Sequence, residues 1–201
     1  MPALKVSIDG APVATVCTDG FDILTVQVHG TLVDSELATL DISGGRYPAV
    51  GESTHLIWAN DTYLNHGQVV NVAFLENAPT SHAGKTIDEL FPDEEPVTQT
   101  DFSLTDAMFA EIRARPKARD GFNFRLDMAH GLSVIGETRP ADHGFGFSVL
   151  WAHTRTEEAR VSLHSYSLEE LEQRAPGNYY AKERMQFSDS IQFELLPPKS
   201  K

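Results

Sequence analysis

Leu4-Lys5-Val6-Ser7-Ile8-Asp9-Gly10-Ala11-Pro12-Val13-Ala14-Thr15-Val16 sets apolar against polar side chains in alternation and breaks at an Asp-Gly pair. A period of two places one set of side chains on each face of a strand, and Asp-Gly supplies the positive-φ residues of a tight hairpin. The stretch therefore predicts two antiparallel strands. The same reading continues through Phe21–Val28, Thr39–Ser43, His55–Ala59 and Gln68–Glu76, separated by Gly30, Gly44-Gly45, Asn60-Asp61 and Gly67. Six short strands with no helical period between them predict a sandwich-like all-β unit over residues 1–77.

Composition changes at residue 78. Pro79, Pro92 and Pro96, with Asp88, Glu89, Asp93, Glu94 and Glu95 opposed only by Lys85, predict an irregular, exposed connector over 78–101, with one helical turn at Thr86–Phe91. Ser103–Arg115 then predicts a helix with Leu104, Ala107, Met108 and Ile112 on its buried stripe, ended by Pro116.

Strands return in the remainder. Phe122, Phe124, Leu126 and Met128 alternate with polar residues, and a turn at Ala129-His130-Gly131 sets Leu126 opposite Val134. Phe145, Phe147, Val149 and Trp151 share a face, and a turn at Thr156–Glu158 sets Leu163 opposite Trp151 and Val161 opposite His153, with His164 on the other side. A short helix over Leu168–Arg174 and a last strand at Ser190–Leu196 complete a unit over 102–201 with a five-strand sheet. The fold class is α+β, predominantly antiparallel β. Gly67–Phe74 and Ser188–Leu195 resemble each other in pattern, either as two half-buried strands that start after a turn, which is the favoured reading, or as a diverged duplication.

Residues 1–100 carry fourteen acidic and three basic side chains, a net of −11 within a chain total of −13. Such a field favours encounter with basic partners and disfavours nucleic acid and acidic membranes. With no apolar run long enough to span a bilayer and a single cysteine, Cys17, a cytoplasmic location without structural disulfides is expected. The basic cluster Arg113, Arg115, Lys117 and Arg119 is expected to neutralise the acidic run 88–95 within the fold or across a dimer.

No nucleophile elbow, phosphate loop, dinucleotide fingerprint, His-Glu-x-x-His or Cys-x-x-Cys occurs, and the eight histidines form no ligand spacing. No cofactor and no metal are expected. The expectation is a non-enzymatic acidic binding protein, of the immunity-inhibitor kind, that masks a basic surface of a protein partner through Asp88, Glu89, Asp93, Glu94 and Glu95. The alternative is a small enzyme or ligand-binding module that uses Arg139, Asp142 and His143, where a cation, a carboxylate and an imidazole on one Gly-flanked loop bind an anion and move a proton.

Overall fold

The computed structural model describes residues 1–94 and 104–198. Among these residues twelve strands form two six-stranded antiparallel sheets. They are β1 (Ala3–Ile8), β2 (Ala11–Cys17), β3 (Ile23–Thr31), β4 (Ala38–Arg46), β5 (Thr54–Leu64), β6 (Val69–Leu75), β7 (Asn123–Met128), β8 (Ser133–Glu137), β9 (Gly144–Ala152), β10 (Glu158–Tyr166), β11 (Asn178–Gln186) and β12 (Ser190–Leu196). The helices α1 (Ile87–Leu90), α2 (Asp106–Ala114) and α3 (Leu168–Glu172) sit in connections. Among the described residues no helix is long and apolar enough to cross a membrane.

The first sheet runs β2-β1-β6-β12-β7-β8 and the second β11-β10-β9-β3-β4-β5. Their inner faces supply one continuous core. Phe193 of the first sheet stacks on Phe147 of the second at 4.8 Å, and Phe145 packs against Phe122 at 4.7 Å. The segments 1–77 and 102–201, expected as successive units, each contribute strands to both sheets, because period two marks a strand without saying which sheet it joins.

Both sheets are symmetric about their centres. The central pairs are β6/β12 and β3/β9, and each strand of the first half has its counterpart in the second at the same place in the order. Asn71 opposes Gln192 across one centre and Gln27 opposes Ser148 across the other, each pair 121 positions apart. Individual backbone bonds repeat as well. Asp22 N–H donates to Gly45 C=O at 2.8 Å as His143 does to Tyr166 at 2.7 Å. His153 donates to Asp22 as Leu32 does to His143, and Gly67 to Leu195 as Ser188 does to Phe74, all at 2.8 Å. Gly67 and Ser188 share a positive φ, +81° and +72°. The two similar stretches read in the sequence are β6 and β12, paired with one another, and the chain is two copies of one six-strand plan around a pseudo-two-fold axis.

Other expectations divide. The first hairpin holds a positive φ at both Asp9 and Gly10, and Leu126 opposes Val134 as the turn at 129–131 required. Leu163 opposes Phe147 and Val161 opposes Val149, a shift from the expected register that preserves the buried face. The reason is a longer turn: His153–Arg155 form a 3-10 turn outside β9, so His153 lies on neither sheet face. Strand β11 was not expected. As an edge strand it buries only Ala181 and Met185, and Lys182-Glu183-Arg184 hides its alternation. Helix α2 buries Phe109 and leaves Met108 exposed, and Leu104 lies exposed before its start, against the expected stripe. Within the described part of the connector, Thr86 and Glu89 form a reciprocal capping box on α1.

Candidate functional site

Arg139, Asp142 and His143 come together in the β8–β9 loop, where the chain crosses from the first sheet to the second. The Arg139 backbone N–H and Nε both donate to the Asp142 carboxylate, Nε at 2.9 Å. The same guanidinium reaches Glu170 on α3 at 2.7 Å through Nη2. Glu170 in turn accepts from the Ser167 backbone N–H at the start of α3, so one arginine ties the loop to the helix.

The electrostatics follow from burial. Asp142 is 1% exposed. That burial pushes its carboxyl upward, and the bonds from Arg139, Ser165 and the Arg139 backbone outweigh it and hold the group below the usual carboxylate range. Glu170 is held low chiefly by the Arg139 bond, and Arg139 is pushed well above the usual guanidinium value by its two carboxylates. His143, almost covered, is pushed below 6.5 by burial. Its ring lies 6.4 Å from that of Tyr166.

Chemically, the three residues form a closed corner. Arg139 has given its fork to two carboxylates of its own chain, and Asp142 accepts bonds from its own loop and from β10. A substrate anion would have to displace Glu170 from Arg139, and proton transfer by Asp142 would have to break its ion pair with Arg139, of which the carboxylate is covered and the guanidinium partly exposed. Two surface depressions, of about 450 and 430 Å³, are lined by other side chains, the second by Ser148, Ser162, Arg160, Lys182 and Arg184 on the outer face of the second sheet. Among the described residues no three His, Cys, Asp or Glu side chains lie close enough to hold a metal ion.

The acidic residues lie elsewhere. Asp88 and Glu89 occupy the first turn of α1, and Asp93 and Glu94 follow it on the exposed chain. Glu95 lies outside the described residues. The Lys85 backbone bonds both ways with Ile57 on β5, at 2.8 Å, which lays the start of the connector along the β5 edge. The basic cluster does not answer these carboxylates. Arg113 pairs with Glu172, Arg115 with Glu111 at 2.8 Å, and Arg119 donates to the carbonyls of Thr31 and Ser35. Sequence proximity suggested the first pairing, and only the return of α3 towards α2 reveals the actual one.

Set against family models, curated proteins and solved structures, the chain matches none of them.

Proposed function

We propose that this chain is a non-enzymatic cytoplasmic protein that covers a basic surface of a protein partner, in the manner of an immunity-type inhibitor, with Asp88, Glu89, Asp93 and Glu94 on its docking side. The observation that carries this reading is where the cations go. Arg113, Arg115 and Arg119 of the basic cluster are turned towards α3, α2 itself and the β3–β4 connection, and among the described residues no ion pair reaches Asp88, Glu89, Asp93 or Glu94. Unpaired carboxylates on an exposed segment project a field into solvent, which raises the rate of encounter with a basic surface and repels nucleic acid.

The test is affinity capture from the native host with the wild type and with the triple variant Asp88→Lys, Asp93→Lys, Glu94→Lys side by side, followed by rate measurements on a purified partner. Reversal should slow association about tenfold or more and change dissociation little, and raising salt should reduce the wild-type rate in the same direction. An association rate indifferent to both changes overturns the proposal.

A further inference from the structure

On the outer face of the second sheet one hollow occurs twice. The matched backbone bonds relate residues 121 positions apart, and Thr39 opposes Tyr63 in the first half as Arg160 opposes Arg184 in the second. By the same offset Asp61 stands where Lys182 stands. The first set borders a depression of about 250 Å³, lined by Thr39, Asp61 and Tyr63 together with Asp34 and Glu36. The second borders the depression of about 430 Å³, lined by Arg160, Lys182 and Arg184 together with Ser148 and Ser162. The backbone plan therefore makes the hollow with or without cations, and the three basic side chains belong to the second half alone.

Those cations are costly where they stand. Arg160 and Arg184 are directly opposed across β10 and β11, and like charges in that register repel. Glu158 answers Arg184, accepting from its Nη1 at 2.7 Å, and accepts from Arg155 at 2.8 Å. Among the described residues those are the ion pairs of this face, and no carboxylate pairs with Arg160 or Lys182. Glu183 borders the hollow, but alternation along β11 directs it to the other side of the strand, opposite the buried Val161. Lys182 holds its Nζ 3.5 Å from the centre of the Tyr179 ring, which positions the ammonium without neutralising it. The hydroxyl oxygens of Ser148 and Ser162 are 2.9 Å apart, and since one O–H serves that bond, the other is left to donate elsewhere.

We propose that this hollow binds a small ligand through a tetrahedral oxyanion, a phosphate or sulfate group. Donors line it on three strands: a serine hydroxyl of β9 or β10, the Arg160 guanidinium of β10 and Lys182 Nζ of β11. A tetrahedral dianion offers oxygens in enough directions to meet all three and carries the charge that offsets the repulsion, whereas a flat carboxylate meets fewer. The volume of about 430 Å³ falls within the range of small-molecule sites, about 300–1,000 Å³. The site lies across β9, β10 and β11, at the opposite end of the second sheet from β5 and the connector, and is independent of the masking proposal.

Sodium phosphate, sulfate and acetate titrated into the ¹⁵N-labelled full chain, with sodium chloride holding ionic strength constant, supply the test. Phosphate and sulfate should give saturable amide shifts centred on Ser148, Arg160, Ser162 and Lys182, and acetate should bind at least about fivefold more weakly. Arg160→Gln and Lys182→Gln should each weaken phosphate binding about fivefold or more, and Lys5→Gln, which removes the same charge from an exposed position on the first sheet, should change it less than about twofold. Within a positive result, the tighter of phosphate and sulfate names the group that the natural ligand carries. Losses from Arg160→Gln and Lys182→Gln no larger than that from Lys5→Gln, or shifts that never saturate, mean an adventitious ion only and overturn the site. Acetate binding as tightly as phosphate overturns the tetrahedral assignment.

Discussion

Val72 and Phe193 occupy equivalent positions on β6 and β12, both fully buried, yet one presents a small branched side chain and the other a ring stacked on Phe147 and close to Phe145. The second half also brings Phe122, Phe124, Phe145 and Trp151 into the core, whereas the first brings mainly Val, Leu and Ile with Phe74. Their surfaces differ in the opposite sense: −11 on residues 1–100 and −2 on the remainder. One backbone plan thus carries two allocations of side chains. The half with the heavier core closes its β8–β9 corner with the Arg139 bridge to Asp142 and Glu170, and the half with the lighter core carries most of the negative charge.

The largest effect that sharpens this contrast is in the core. Phe193→Ala should cost about 4 kcal/mol by denaturant unfolding, and Val72→Ala about 2 kcal/mol, since the ring removes more contacts and leaves the larger void. Equal losses at the two sites would show that the halves carry the core evenly.

The closed corner comes next. Arg139→Ala leaves the buried Asp142 carboxylate without its charge partner and should destabilise by about 3 kcal/mol at neutral pH. Asp142 and Glu170 have folded-state pKa values below their ordinary ones, so the stability they contribute is present above the ordinary carboxyl range and is lost as pH falls below about 4. The wild type should therefore lose stability below about pH 4 more steeply than Arg139→Ala, as chemical denaturation at a series of pH values would show. Parallel curves would remove the corner from the comparison.

The smallest effect is at the turns that start β6 and β12. Ser188 adopts the left-handed conformation that Gly67 adopts at the equivalent place, +72° against +81°. Ser188→Gly should stabilise by about 0.5–1 kcal/mol and Gly67→Ser should destabilise by a similar amount, measured as opposite shifts in Tm. Shifts of the same sign would mean that the two turns are not equivalent.

Much of the β pattern was legible because burial of one face imposes alternation on Leu4–Ile8, Phe124–Met128 or Phe145–Trp151. The hairpin of Met128 and Leu132 was legible to the residue, since a one-residue slip would have turned the row outward. The symmetry was not. Equivalent residues such as Val72 and Phe193, or Leu24 and Phe145, share burial and little else, so the repeat is written in a spacing of 120 to 122 residues rather than in identities. The closed corner was half legible: Arg139, Asp142 and His143 lie within five positions of one another, but the partner that decides their role, Glu170, arrives from a helix 28 residues beyond Asp142. The acidic run was legible as composition, and its freedom from Arg113, Arg115 and Arg119 was not, because that depends on which helix α2 meets.

The pairing of β3 with β9 and of β6 with β12 has a consequence for how the protein comes into being on the ribosome. When the first half has emerged, the edges of β3 and β6 that will lie at the centres of the finished sheets have no partners, and those partners are about 120 residues away in the chain. At the usual pace of synthesis the last of them, β12, follows roughly ten seconds later. Throughout that interval a nascent chain displays two bare strand edges that fit the corresponding edges of any neighbouring nascent chain. Exchange of halves between polypeptides on one message would rebuild every strand pair described here, so closure of both sheets within one chain depends on the second half reaching its own first half before a neighbour's does.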